Sequence, residues 1–89
     1  MSTSKVLNNI NSALTSAQCR AARALLGWSQ ESLVEASQVA KKTIADFERG
    51  ARFPRPRTLS DLRRGFESAG VIFIGGNGEG PGVRLKKKP

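Results

Sequence analysis

The sequence predicts a mainly α domain, four to five helices followed by a C-terminal two-stranded β-hairpin. Apolar residues recur every three or four positions through successive segments between residues 4 and 69, the period of a helix with one buried face. Ser or Thr opens several of these segments and Gly closes them, residues that satisfy helix N-termini and tolerate the left-handed backbone of a C-cap. After Gly70 the pattern changes to a β-branched and aromatic run, a glycine-rich loop and an alternating apolar and basic run, which reads as two strands and their turn. With 89 residues, 38% of them hydrophobic, the chain has material for one modest core and little room for a large catalytic cleft.

In chain order, "SKVLNNINSAL" at 4–14 sets Val6, Leu7, Ile10 and Leu14 on a weak stripe diluted by three asparagines, so a marginal helix is expected there. Thr15 and Gln18 have capping-box spacing, and an Ala-, Leu- and Arg-rich run continues to Leu26 before Gly27 stops it. Ser29 is the N-cap of a short helix, "QESLVEA", anchored by Leu33 and Val34. In "AKKTIADFER", Ala40, Ile44 and Phe47 fall at i, i+4 and i+7 and turn inward, which leaves Lys41, Lys42, Ala45, Asp46 and Arg49 outside; Gly50 is the stop. "ARFPRPR" reads as an extended basic strap carrying Arg52, Arg55 and Arg57, because Pro54 and Pro56 restrict themselves and the residues before them. Thr58 or Ser60 then caps a last helix through Ala69, with Leu59, Leu62 and Phe66 on one stripe. In the hairpin, Val83 and Leu85 are expected to pack inward opposite Val71 and Phe73, while Arg84 and Lys86 face water and Ile72 and Ile74 lack an evident cover. The closing "KKKP" reads as a mobile tail.

Fifteen Lys or Arg against seven Asp or Glu give a formal charge of +8 and a pI near 10.9, which favours a polyanionic partner, nucleic acid ahead of an acidic membrane surface. The chain has no His, no Tyr and one Cys, Cys19, which excludes a His-based triad, a zinc cluster and an intramolecular disulfide, and fits a reducing cytoplasm. No apolar run reaches the ~20 residues that span a bilayer, and "MSTSKVLNNINSALTS" is too polar for a secretory signal. Without a paired set of catalytic groups no enzyme is expected, and no cofactor or metal.

A short helix, a tight turn and a second helix with one apolar stripe make a helix-turn-helix, in which the first helix braces the second for the major groove of double-stranded DNA. The second helix approaches base edges with its N-terminal residues, here Lys41 and Lys42. The stretch "GWSQESLVEASQVAKKTIADFERG" resembles the phage repressor and Cro-like, or Xre-like, helix-turn-helix family through Gln30, Leu33, Val39, Ile44, Phe47, Glu48 and Gly50. The likeness spans roughly residues 14–86, since "LTSAQCRAARALLG", "RFPRPRTLSDLRR", "AGVIFI" and "GPGVRL" are also similar to short single-domain bacterial regulators of that family. It implies a lambda-repressor-like domain, with base contacts from Lys41, Lys42, Ala45 and Asp46. Phosphate contacts are implied for Gln30, Thr43, Arg49, Arg52, Arg55 and Arg57. Three positions depart from the family pattern: Gln38 stands where Gly is usual in the turn, Val34 where a small Ala is common, and Ala40 where Ser or Thr caps the second helix.

Several residues carry two readings. Lys41 and Lys42 either donate to guanine or neutralise phosphate. Asp46, four residues after Lys42, either pairs with it along the helix or accepts from cytosine N4 and rejects wrong sites. Arg20 and Arg23 either approach phosphate or form a solvated face. Trp28 reads as a core plug before a stacking residue, and Cys19 as a small buried hydrophobe before a redox sensor. "GGNGEGPG" is a turn, lacking the Lys and helix that follow a phosphate loop.

The expected protein is a sequence-specific transcriptional regulator, a repressor, located in the cytoplasm at the nucleoid. Its organisation would be an N-terminal extension at 1–14, a DNA-binding domain at 15–70 and a hairpin at 71–87 that dimerises through Ile72 and Ile74. Residues 40–49 would lie in the major groove, and a homodimer would bind a palindromic operator whose half-sites are about one helical turn apart. Two rivals stand beside it: an antitoxin or co-regulator whose hairpin or tail grips a protein partner, and a basic nucleic-acid-binding module without sequence preference.

Overall fold

Thr15 closes a capping box with Gln18, in which each side chain accepts from the other's backbone N–H at 3.0 Å. The computed structural model describes residues 14–75 and 78–87. Among these, four helices come first, α1 (Ser16–Leu26), α2 (Gln30–Ser37), α3 (Lys41–Glu48) and α4 (Pro56–Ser68), followed by strands β1 (Val71–Ile74) and β2 (Gly82–Leu85). This is the mainly helical domain with a C-terminal antiparallel hairpin that the periodicities predict. The helix expected over 4–14 lies outside the described residues except for Leu14, which is buried, as do the last two residues of the tail.

Local chemistry sets the helix ends. Gly27 closes α1 at φ 67°, and Ser29 caps α2 by accepting from the Ser32 N–H at 3.0 Å. Gln38 occupies the α2–α3 turn at φ 65°, in the left-handed region where its Cβ is a steric cost, as expected where Gly is usual. The turn is held by the Gln38 N–H on the Val34 carbonyl at 2.8 Å, and by Ser37, whose hydroxyl donates to Leu33 O and accepts from the Val39 N–H. Ala40 supplies no side-chain cap for α3.

The basic strap is shorter than expected. Pro56 is the first residue of α4, Arg55 takes the cap position without a side-chain bond, and Arg57 sits in the first helical turn, so neither Thr58 nor Ser60 caps this helix. The reason is that proline's missing N–H and fixed φ suit the first helical position as well as an extended segment.

Leu33, Ile44, Leu62, Phe66 and Cys19 are the largest fully buried side chains, drawn from all four helices. Helices α2 and α4 approach so closely at Gly65 that a Cβ there would lie 3.1 Å from the Ala36 carbonyl oxygen. Trp28 stacks on Phe66 with ring centroids 5.8 Å apart, the core plug the sequence suggests. The hairpin pairs Val71 with Leu85, Ile72 with Arg84, Phe73 with Val83 and Ile74 with Gly82, so the expected register holds, but Leu85, expected to pack inward, is exposed near the strand's end. Phe73 meets Phe66 edge-on, which closes the core from below, while Ile72 and Ile74 remain half-buried on the other side of the ribbon. Gln18 also ties the hairpin down, donating from Nε2 to the carbonyls of Ile74 at 3.2 Å and Gly82 at 2.9 Å.

Candidate nucleic-acid interface

Helix α3 is anchored by Ile44 and Phe47, whose side chains are buried against the rest of the core, and this fixes which side faces out. Lys41 and Lys42 are exposed at its start, Thr43 and Ala45 are half-buried, and Arg49 is exposed just past its end. The small Ala45 leaves the middle of the helix low, with cations at both ends. A rod of this outline suits the floor of a groove.

Carboxylates hold these cations in place. Lys41 pairs with Glu31 on α2, and Asp46 receives Arg49 at 2.9 Å and Lys42 at 3.3 Å. Asp46 lies deeper than its outward helical position suggests: its side chain is 13% exposed beneath the two cations, so the ion-pair reading describes its contacts in the free protein. The hydrogen bond from Arg49 foremost, and then that from Lys42, outweighs burial and holds its carboxyl below the usual carboxylate range. Glu31 is lowered likewise, by the hydrogen bond from Lys41. The cations of these pairs are exposed and salt-screened, so phosphate oxygens can compete for the same ammonium and guanidinium groups.

Under the helix lies a polar clamp. Glu48, 4% exposed, accepts from Arg23 Nε on Oε2 and Arg23 Nη2 on Oε1, both at 2.8 Å, from Gln30 Nε2 at 3.0 Å and from the Cys19 thiol at 3.2 Å. Arg23 also donates to the Trp28 carbonyl at 3.0 Å, and Arg20 to the Glu48 carbonyl. One carboxylate thus joins α1, α2 and the end of α3, fixing the angle at which α3 is presented. Burial pushes the Glu48 carboxyl up, but the hydrogen bonds from Arg23, Gln30 and Cys19 outweigh it and its pKa lies below the ordinary value. Burial, reinforced by the bond to Glu48, pushes the Cys19 thiol well up, so Cys19 is a protonated donor inside the core.

Gln30, which the family resemblance assigns to phosphate, is half-buried and turned onto Glu48. Arg23, 21% exposed, is engaged in the clamp. Arg52 and Arg55 project from the strap and Arg57 from the first turn of α4, all exposed. The strap is tied to α3 through the Asp46 carbonyl, which accepts from Ala51 at 2.8 Å and Arg52 at 3.4 Å, and it is pegged by the buried Pro54. The structure therefore groups Lys41, Lys42, Ala45 and Arg49 on one helix, with Arg52 and Arg55 on the segment attached to it. Ile72 and Ile74 belong to the separate hairpin. The clamp itself, Glu48 with Arg23 and Cys19, has no signal in local periodicity, since Glu48 lies 25 and 29 residues from these two partners.

A bracing helix, a left-handed turn and a second helix seated on its core with cations outward define a helix-turn-helix protein. A family model described as helix-turn-helix matches residues 20–68, more than half of the chain. The chain belongs to that family, the Cro/C1-type or Xre-like helix-turn-helix proteins, and is a DNA-binding regulator of transcription. A search of the curated proteins found no match. Among the described residues no helix is long and apolar enough to cross a membrane, and no group of His, Cys, Asp or Glu is placed to hold a metal ion.

Proposed function

We propose that this regulator is a sequence-specific repressor that lays α3 in the major groove and binds a palindromic operator as a homodimer. The observation that carries the reading is the contrast between the two sides of α3: Ile44, Phe47 and Glu48 are locked inside, while Lys41 and Lys42 are exposed at its leading end, paired with Glu31 and Asp46. In this reading Lys41, Lys42, Ala45 and Asp46 meet base edges, and Thr43, Arg49, Arg52, Arg55 and Arg57 meet phosphates. Gln30 contributes by bridging to a phosphate next to the Glu48 clamp. As α3 enters the groove, phosphates draw Lys42 and Arg49 from Asp46, which frees that carboxylate to accept from cytosine N4 and to penalise sites lacking it. The DNA-binding unit runs over 15–70, with the hairpin at 71–87 bringing two copies together through Ile72 and Ile74.

Selection on random duplexes at two salt concentrations, followed by titration of Lys41→Ala, tests this. A recurrent two-fold symmetric sequence is expected, and Lys41→Ala should relax preference at one position per half-site. Equal affinity for every duplex would refute sequence reading and favour the basic module without sequence preference.

A further inference from the structure

We propose that Phe53 contacts DNA, packing its ring on the deoxyribose of the strand whose phosphates Arg52 and Arg55 hold. The inference rests on the reading of the strap as a DNA-backbone contact and extends it to a residue with no assigned role.

Phe53 is 72% exposed, the most exposed large hydrophobic side chain among the described residues, whereas Phe47 and Phe66 are buried and Phe73 packs against the core. Its position is fixed. The buried Pro54 follows it, Ala51 and Arg52 just before it are hydrogen-bonded to α3, and its ring stands edge-on to Phe47 with centroids 6.4 Å apart. The ring is thus held outward by the same helix that carries Lys41 and Lys42. Along an extended chain rising ~3.3 Å per residue, Arg52 and Arg55 lie ~10 Å apart with Phe53 between them. Successive side chains of an extended chain alternate sides, so Phe53 shares its side with Arg55, and a strand whose phosphate Arg55 holds meets the ring with its sugar, the apolar part of the backbone. A second copy of this surface is a poor occupant, because two straps each bearing Arg52, Arg55 and Arg57 would meet like charge with like.

The test titrates wild-type protein, Phe53→Ala, Phe53→Leu and Arg52→Ala with a random-sequence duplex and with a selected duplex over a series of salt concentrations. Phe53→Ala should bind about tenfold more weakly on both duplexes with an unchanged salt slope, since an aromatic ring releases no counterions. Arg52→Ala should instead flatten the slope by about one unit, and Phe53→Leu should recover part of the loss. The 72% exposure of Phe53 predicts that losing its contact with Phe47 lowers the melting temperature by only a few degrees, which leaves the variant folded in the binding assay. Wild-type affinity in Phe53→Ala would overturn the proposal, as would a loss explained by weaker self-association in sedimentation equilibrium. Tight binding by Phe53→Ala with a normal Arg52→Ala effect would sink the ring contact alone, whereas wild-type protein that binds no duplex would overturn the strap reading as well.

Discussion

Glu48→Gln preserves the outline of the clamp and removes its charge. The carboxylate accepts four hydrogen bonds, two of them from Arg23. A glutamine has one carbonyl oxygen, so its amide nitrogen must face a donor, and Arg23 loses its counter-charge. Removing one partner of a buried pair costs ~3–5 kcal/mol. Arg23 retains 21% of its side-chain exposure and one good acceptor, so the loss should fall near 2–3 kcal/mol on that scale. For a domain of this size that lowers Tm by about 8–24 °C. The pH dependence has a definite sign: because the folded state depresses the Glu48 pKa, its stabilisation is complete above the unfolded value of ~4.3 and disappears as pH falls through the lower folded value. Urea unfolding of both proteins at neutral pH and near pH 3 checks this. Equal midpoints at neutral pH, or a difference that persists undiminished in acid, would refute the clamp as the element holding α3.

Other perturbations probe the scaffold. Gly65→Ala should destabilise by about 1 kcal/mol by denaturant titration, since the new Cβ meets backbone atoms of Ala36 and Ser37 at 3.1–3.2 Å and overpacking outweighs the gain in helix propensity. Gln38→Gly should stabilise by ~0.5–1 kcal/mol in the same assay, because relief at φ 65° exceeds the entropy glycine adds to the unfolded chain. Cys19 should resist alkylation in native buffer and react at the rate of unfolding, as a fully buried, protonated thiol must; rapid labelling of folded protein would revive the redox-sensor reading.

Helix boundaries were legible wherever a local interaction sets them. Thr15 with Gln18, Ser29 and Gly27 act within a turn of their own positions, and the 3.6-residue period placed Ile44 and Phe47 inside and Lys41 and Lys42 outside. Pro56 and Arg57 were misplaced in the strap because an extended segment and a first helical turn ask nearly the same φ of proline, and the stripe of Leu59 and Leu62 does not show which residue begins α4. The unreadable features are those made across the chain. Glu48 meets Arg23 and Cys19 from another helix, Gln18 reaches the hairpin more than 50 residues on, and Gly65 is small because of Ala36. Asp46 sits where the period puts it, yet its side chain is covered by the cations beside it. Nothing in the strap's sequence marks which way Phe53 turns; the structure leaves its ring exposed beside the buried Pro54.

Backbone amide chemical shifts, followed while a selected duplex is titrated into the protein, test the central claim most directly. The largest changes should fall on 41–49 and the strap at 51–55, with the Lys41 and Lys42 amides foremost. Changes confined to the hairpin or to α4, with 41–49 undisturbed at saturation, would contradict it.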